Sequence, residues 1–287
     1  MTLHTRLENI CGTTPLIKVS DRVYGKLETY NPTGSVKDRM VSYVVRRALL
    51  KGEINEKSIL CEATSGNTGI SLSSMAASLG LECVIFMPCN MSEERKQMMT
   101  IYGARIVEVS HSNFDEAIKM RDQFLLDNSN AWSPMQFSNK LNIACHMNET
   151  APEIAKQAGP GWVSFIHGSG TGGTIEGVRR YIALEDLDVG VYMVVPKEEL
   201  HGIQGIGDGQ DFLADPSQMS GTICISTEAA IQRAKSFAKE TGILVGISSG
   251  ANILASERWV KENDPAGIVV TILCDRGERY MSIYEKD

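Results

Sequence analysis

The sequence lacks any long apolar segment of the kind that crosses a membrane. No apolar run approaches the roughly 18 residues that a membrane helix needs. Residues 1–11, which include His4, Arg6 and Glu8, also lack the apolar core of a signal peptide. We therefore expect a protein of the cytoplasm that does not bind a membrane.

Disulfide patterns, metal-ligand patterns and an excess of positive charge are also missing. The 7 cysteines are odd in number and include no C-x-x-C pair, which is typical of reduced core thiols. The 5 histidines show no metal-ligand spacing, so no metal site is predicted. The net charge of -7 argues against a surface for nucleic acid or for an anionic membrane.

What the chain does contain is a repeated alternation of strand and helix patterns. Strands are predicted at residues 14–19, 22–28, 58–63, 82–87, 105–109, 162–167, 189–195 and 268–273. Helices are predicted from 35, at 67–79, 93–102, 115–126 and 143–157, from 174, and at 228–241 and 251–262. This alternation indicates βαβ units with mostly parallel sheets covered on both faces. A chain of 287 residues favours two domains, with a break near residues 133–142.

One stretch, residues 31–39 (NPTGSVKDR), combines turn signals with a helix start. The Asn-Pro and Thr-Gly pairs predict a turn, and Ser35 with Asp38 matches a capping box. Lys37 then falls in the first helical turn, where the positive end of the helix disfavours an ammonium group. That position favours the neutral amine needed for Schiff-base chemistry. A single lysine, however, is most often simply exposed to solvent.

Three predicted strand-to-helix junctions are rich in glycine and hydroxyl side chains. They are residues 64–69 (TSGNTG), 168–174 (GSGTGGT) and 246–250 (GISSG). In open α/β sheets, ligands bind at the carboxyl ends of strands, and helix N-termini accept anions. Thr171 and Thr174 add hydroxyls that suit a terminal phosphate. For one loop alone, an ordinary βα connection is an equally good interpretation, but much less so for all three together.

The second junction also matches a dinucleotide-binding pattern. Gly168, Gly170 and Gly173 satisfy G-x-G-x-x-G, with Asp186 or Asp188 downstream. The pattern is weak by itself and occurs late in the chain, after a complete set of βα units. An NAD(P)-binding oxidoreductase or a ligand-binding module is the alternative from another class. The missing Gly-Lys-Ser/Thr ending excludes a nucleoside-triphosphate loop.

An amine, a phosphate loop and a carboxylate pocket together suggest pyridoxal 5'-phosphate (PLP). Six motifs occur in order at residues 31–39, 64–69, 170–174, 202–207 (GIQGIG), 246–250 and 274–280 (CDRGERY). They resemble those of the cysteine synthases (O-acetylserine sulfhydrylases) of the tryptophan-synthase-β-like PLP enzymes, or fold type II. The resemblance extends from about residue 13 to 282. Residues 274–280 are closest to the B-type, thiosulfate-using branch and 170–174 to the A-type, so the branch stays open.

The resemblance implies an α/β fold of two three-layer αβα domains with mostly parallel sheets and PLP in the cleft between them. The smaller, mobile domain would comprise residues 1–12 and 35–141 and contain the substrate loop. The larger domain would comprise residues 13–34 and 142–287 and contain the phosphate and pyridine sites. A homodimer is implied, with serine acetyltransferase as a candidate further partner.

The resemblance also implies roles for individual residues. Lys37 would be the Schiff-base lysine and the base for the Cα proton. Asn67 would hydrogen-bond the phenolate oxygen of the cofactor, and Ser248 would face its pyridine nitrogen. The phosphate would be bound by Gly170, Thr171, Gly172, Gly173 and Thr174. The substrate would be bound by Thr64, Ser65, Asn67, Thr68, Gln136 and Gly205.

The implied reaction is the β-replacement of O-acetyl-L-serine with sulfide, which gives L-cysteine and acetate. A serine at the ring nitrogen cannot hold a pyridinium as an aspartate does, and this weaker electron sink suits β-elimination. Cystathionine β-synthase or serine/threonine dehydratase activity on the same scaffold, or a non-catalytic binding paralogue, are the alternatives. Residues 138–140 and the short segment between Pro196 and Gly202 depart from the family pattern.

Overall fold

The structure is a computed structural model that describes residues 10–64, 66–110, 114–207 and 213–285. The chain divides into two compact units. The first unit is Met1–Cys11 with Asn31–Leu141, and the second is Gly12–Tyr30 with Asn142–Asp287. Over the described ranges, no helix is both long enough and apolar enough to cross a membrane.

Strands and helices alternate along most of the chain. The strands are β1 (Leu16–Ser20), β2 (Val23–Leu27), β3 (Ile59–Ala63), β4 (Glu82–Pro88), β5 (Arg105–Val109), β6 (Ala131–Trp132), β7 (Trp162–Gly168), β8 (Gly190–Pro196), β9 (Gly221–Ile225) and β10 (Ile268–Leu273). The helices are α1 (Lys37–Lys51), α2 (Asn67–Leu79), α3 (Glu93–Ile101), α4 (Phe114–Asp127), α5 (Leu141–Cys145), α6 (Ala151–Ala158), α7 (Gly173–Leu184), α8 (Thr227–Thr241), α9 (Ile247–Asn263) and α10 (Met281–Tyr284). A π-helical turn (His146–Thr150) joins α5 to α6.

Helices cover both faces of the sheet in the first unit. Its strands are parallel and have the order β5-β4-β3-β6. Because successive side chains of a strand point to opposite faces, β4 contributes to two cores. Val84 and Phe86 pack with Ala117 of α4. Ile85 and Met87 lie in the core that α1 and α2 complete.

The second unit contains a 6-stranded sheet in the order β1-β2-β10-β7-β8-β9. Its strand pairs are parallel except for β1 with β2. Val269 and Leu273 of β10 pack in a core with Phe237 of α8. Val270 and Ile272, on the opposite face, are buried as well. Since α6 contacts β10 and α7 contacts β8, both faces of this sheet are covered, as a parallel sheet requires.

The prediction of an α/β protein with mostly parallel sheets in two domains is confirmed. The helix at residues 67–79 and the strands at 105–109 and 268–273 have the predicted bounds. These segments have strong periodicity or long apolar runs, bounded by glycine or polar residues. Local sequence was therefore sufficient to define them.

Three of the differences from the predictions have a clear structural cause. Strand β9 was missed because its residues alternate between half-buried and exposed up to Ile225, without a continuous apolar run. Helix α9 was expected from Ala251 but begins at Ile247. Its first turn is formed by the small residues that were interpreted as a loop. The single helix expected at residues 143–157 is divided by the π-helical turn.

Candidate active site

Lys37 is the first residue of α1 and is half-buried. The preceding turn closes with a hydrogen bond from the Gly34 N–H to the Asn31 carbonyl, 2.8 Å. The Lys37 N–H donates to the Ser35 hydroxyl at 3.3 Å. The predicted turn and helix start are therefore present, but the helix begins two residues later than predicted.

Asp38, next to Lys37, holds this turn against α2. Its buried carboxylate accepts from the Thr33 hydroxyl at 2.5 Å and from the Ser71 hydroxyl at 2.6 Å. It also accepts from the N–H groups of Thr33 (2.9 Å) and Ser35 (3.4 Å). Only this half of the predicted capping box forms, because the Ser35 hydroxyl binds the N–H of Lys37 and not that of Asp38. The carboxylate thus fixes the backbone from which Lys37 extends.

The residues of the predicted substrate loop lie between β3 and α2 in the first unit. The Thr64 hydroxyl accepts from the Gly66 N–H at 3.1 Å, and Asn67 is the first residue of α2. The Thr68 hydroxyl donates to Gln136 Oε1 at 2.6 Å. The structure therefore brings Gln136 to this loop, although the two are 68 residues apart in the sequence. Ser65 lies outside the described residues.

Gln136 is held in place by the strand that precedes the loop. Its Nε2 donates to the Ala63 carbonyl at 3.0 Å, and its backbone N–H donates to Glu62 Oε2 at 3.0 Å. Glu62 is fully buried and forms an ion pair with Arg121 of α4 at 2.6 Å. Burial raises the pKa of Glu62, while Arg121 and the N–H donors act in the opposite direction. Sequence reasoning missed both members of this pair.

The predicted phosphate loop connects β7 to α7 in the second unit. Gly172 has φ 82°, a left-handed conformation that favours glycine. A Cβ on Gly170 would lie 2.7 Å from the Gly205 carbonyl oxygen, so the loop packs tightly against residue 205. The Gly173 N–H donates to the Thr171 hydroxyl at 3.3 Å. Gly205 and the phosphate loop are therefore neighbours.

A row of polar side chains on the segment from α5 to α6 forms hydrogen bonds to the threonines of the phosphate loop. Asn142 Nδ2 donates to the Thr171 hydroxyl at 3.0 Å. His146 Nε2 is hydrogen-bonded to the Thr174 hydroxyl at 3.2 Å, and His146 Nδ1 to the Thr150 hydroxyl at 2.9 Å. All are buried. Their spacing of four residues, i, i+4 and i+8, is the sequence signal that could have revealed them.

Ser248 and Ser249 both lie in the first turn of α9 and are buried. The Ser249 hydroxyl accepts from the Cys274 N–H at 2.8 Å. Ser248 lies beside Gly205, since a Cβ built on Gly205 would be 3.9 Å from the Ser248 hydroxyl. Ser249 therefore has a structural contact, and Ser248 is the member of the pair that lies near the phosphate loop.

Asn252, one turn further along α9, connects that helix to the phosphate loop. Its Oδ1 accepts from the Gly168 N–H at 2.8 Å, and its Nδ2 donates to the Ile272 carbonyl at 2.9 Å. Asn252 is buried within a helix and has no motif around it. Sequence reasoning did not select it.

The residues of the phosphate loop fit the phosphate of PLP. The N-terminus of α7, a helix of 12 residues, directs its first N–H groups toward the loop. Thr171 and Thr174 supply hydroxyls, and the buried Ser169 hydroxyl has no hydrogen-bond partner among the described residues. No group of His, Cys, Asp and Glu residues suited to a metal ion occurs in the part of the chain that the structure describes. The donors are therefore those of an anion site.

This fold and these loops are those of a class of enzymes that use PLP. The chain belongs to the family of pyridoxal-phosphate dependent enzymes, which matches residues 7–275. This membership replaces the NAD(P)-binding interpretation of Gly168, Gly170 and Gly173.

Similar proteins narrow the comparison within that family. Cysteine synthase B of Campylobacter jejuni is 37% identical over 98% of this chain and 98% of its own. Cysteine synthase B of Pseudomonas aeruginosa is 36% identical over 94% of both chains. The structure of the O-acetylserine dependent cystathionine β-synthase from Helicobacter pylori matches with a TM-score of 0.89 and 31% identity, over 98% of both chains. A hydrogen sulfide-producing enzyme of Fusobacterium nucleatum matches with a TM-score of 0.90 and 30% identity, over 96% of this chain and 99% of its own.

Proposed function

We propose that this protein is a cysteine synthase that converts O-acetyl-L-serine and sulfide to L-cysteine and acetate. The observation that carries the proposal is the pairing of Thr68 with Gln136 at the carboxyl end of β3. That pair offers hydroxyl and amide groups to an amino-acid carboxylate, in a chain that is similar to cysteine synthases along nearly its whole length.

The chemistry requires a cofactor that accepts electrons from the substrate. PLP, when bound, supplies the electron sink that stabilises negative charge at the substrate Cα. Thr171, Thr174 and the N-terminal N–H groups of α7 would bind its phosphate, and Asn67 its phenolate oxygen. Ser248 would place a neutral hydroxyl at the ring nitrogen, which suits elimination better than formation of a long-lived carbanion.

Lys37 would attach the cofactor and move the proton. Its Nζ, once released by the incoming amino acid, would take the proton from Cα while acetate leaves Cβ. After sulfide bonds to Cβ, the same ammonium would return the proton to Cα. The Asp38 contacts with Thr33 and Ser71 support this role, because they hold the backbone at Lys37.

The substrate carboxylate would be bound at the first turn of α2. The N–H groups at a helix N-terminus carry a partial positive charge, which favours an anion there. Thr64, Ser65 and Thr68, together with Gln136, would supply side-chain hydrogen bonds, and Gly205 would line the substrate site. The contact of Thr68 with Gln136 supports this grouping.

One assay that compares three sulfur nucleophiles tests the proposal. The holoenzyme is given O-acetylserine with sulfide, with thiosulfate or with homocysteine, and the amino-acid products are separated. We expect cysteine from sulfide at the highest rate. Cystathionine as the main product would favour the second candidate, an O-acetylserine-dependent cystathionine synthase, which the similarity to the Helicobacter pylori enzyme supports. Absence of both products would contradict the proposed function.

We further propose that the enzyme is a homodimer of the cytoplasm. Support comes from the cysteine synthase resemblance and from the 7 cysteines, which form no disulfide with one another. Light scattering should give about twice the chain mass of 31.4 kDa, and a monomer would contradict this. Co-elution with serine acetyltransferase would support the second partner, and separate elution would contradict it.

A further inference from the structure

Glu62 is a fully buried carboxylate near the end of β3, two residues before the substrate loop. Its Oε1 accepts from the Ala63 N–H at 2.8 Å and from Arg121 Nη1 at 2.6 Å. Its Oε2 accepts from the Gln136 N–H at 3.0 Å. The carboxylate therefore contacts the strand end, helix α4 and the segment that carries Gln136.

The surroundings of this ion pair are costly for charge. Arg121 is 5% exposed and Glu62 is 0% exposed, and the adjacent core contains Cys61, Ala63 and Phe86. Burying two charges in such a place costs about as much as their attraction returns, and an apolar pair is often as stable. The pair therefore has little value for stability alone.

The segment that Glu62 holds has an unusual backbone. Met135 has φ 54°, a left-handed conformation that costs a non-glycine residue free energy. The Ser133 hydroxyl accepts from the Met135 N–H at 3.2 Å and lies 3.5 Å from Arg121 Nη1. Both members of the ion pair thus contact the turn that presents Gln136.

We propose that Glu62 is a positioning residue for substrate binding, which sets Gln136 and through it the Thr68 hydroxyl, with Arg121 orienting the Glu62 carboxylate. The inference rests on the proposed function, in which Thr68 and Gln136 bind the carboxylate of the amino-acid substrate. Glu62 acts through its acceptor oxygen for the Gln136 N–H. Its charge is needed only to keep the other oxygen, Oε1, paired with Arg121.

Two neutral double variants separate the acceptor from the charge. Glu62→Gln with Arg121→Met removes both charges but keeps an oxygen that can accept from the Gln136 N–H. Glu62→Leu with Arg121→Met removes both charges and the acceptor. We expect the second variant to raise the KM for O-acetylserine about tenfold above the first, as expected for one lost buried hydrogen bond. The kcat values of the two variants should agree within about twofold, since Glu62 does not contact the reacting atoms.

Hydrogen–deuterium exchange provides a readout that does not depend on turnover. The peptide that covers residues 133–137 should exchange faster in the Leu variant than in the Gln variant. Arg233→Met is the matched control, because Arg233 is a similarly enclosed cation that pairs with Glu257 at 2.9 Å within the second unit. This control should lower the melting temperature without changing the KM or the exchange of residues 133–137.

Equal KM and equal exchange in the two double variants would overturn the inference. An equal rise in KM for Arg233→Met would overturn it as well. Glu62→Asp keeps the charge but withdraws the oxygen by one methylene, so it serves if the Leu variant does not fold. Unchanged KM and exchange in Glu62→Asp would also overturn the inference. Failure of the wild-type enzyme to make cysteine would instead refute the proposed function, while the exchange data would still decide the role of Glu62.

Discussion

At the scale of single residues, Lys37 carries the strongest prediction. Lys37→Ala should abolish the covalent link to PLP and lower cysteine formation by about 10²–10⁴-fold or more, because one amine both holds the cofactor and moves the proton. Borohydride treatment followed by peptide mapping measures the link, and steady-state assay measures the rate. The control is Lys51→Ala, at the exposed end of the same helix. A Lys37→Ala enzyme with near wild-type turnover would refute the assignment.

The two adjacent serines of α9 allow a paired prediction. Ser248→Asp should slow β-replacement and change the absorbance of bound PLP, because a carboxylate favours the protonated pyridine ring. Ser249→Ala should instead lower the free energy of unfolding by about 1 kcal/mol, because the buried Cys274 N–H loses its acceptor. Absorbance spectra and urea unfolding distinguish the two. An unchanged spectrum and rate in Ser248→Asp would contradict the assignment of Ser248 to the ring nitrogen and make Ser249 the candidate.

At the scale of elements, the polar row behind α7 should control cofactor affinity. Asn142→Ala and His146→Ala each remove a hydrogen bond to a phosphate-loop threonine, so the dissociation constant of PLP should rise about tenfold. Equilibrium dialysis against PLP measures it. Gln157→Ala, which removes hydrogen bonds to the Thr14 carbonyl and to Lys26 but none to the phosphate loop, is the control and should bind PLP as the wild type does. Unchanged affinity in both variants would contradict this role.

The strands of the first unit give a prediction about thiol reactivity. Burial raises the pKa of Cys61 and of Cys83 to about 12, because the interior disfavours the thiolate. Below that pH the thiols stay protonated, so neither should react with iodoacetamide at pH 8. Cys89 and Cys224 are exposed and should react, which corrects the expectation that all cysteines are core thiols. Mass spectrometry of the labelled native protein decides this, and modified Cys61 would contradict it.

The same elements show what local sequence can and cannot specify. The turn at Lys37 and the loop before α7 were recognised because their residues are contiguous, and each residue has a local backbone role. The Glu62 pair with Arg121 was missed because its members are 59 residues apart. Asn142 was missed for the same reason, since its partner Thr171 lies 29 residues away. Such contacts depend on how strands and helices pack. The spacing of Asn142, His146 and Thr150 indicates a shared helix face, but it does not indicate which residues that face contacts.

At the scale of the whole molecule, charge predicts the choice of activated serine. The chain has a net charge of -7. The stretch between Lys197 and Arg233, which includes the proposed substrate-site residue Gly205, contains no lysine or arginine, only His201. A buried phosphate without a cationic partner is costly. The specificity constant for O-acetylserine should therefore exceed that for O-phosphoserine by at least about tenfold, measured with sulfide at one ionic strength.

Raising the salt concentration provides the control for this prediction. Because salt screens repulsion between exposed charges, it should raise the specificity constant for O-phosphoserine more than that for O-acetylserine. A specificity constant for O-phosphoserine equal to that for O-acetylserine would contradict the prediction. It would indicate that Lys197, Arg95 or Arg276 supplies the missing positive charge.

The hydrogen bond between Thr68 and Gln136 has a consequence for ligand discrimination. A hydroxyl has one proton, and here Thr68 gives it to a neutral amide oxygen. A ligand that needs this proton must compete for it, so the gain is only the difference between two acceptors. A carboxylate is the stronger acceptor and wins the exchange, whereas an ester or amide merely matches what it displaces. Gln136 therefore makes this site favour the binding of anionic ligands over that of their neutral analogues.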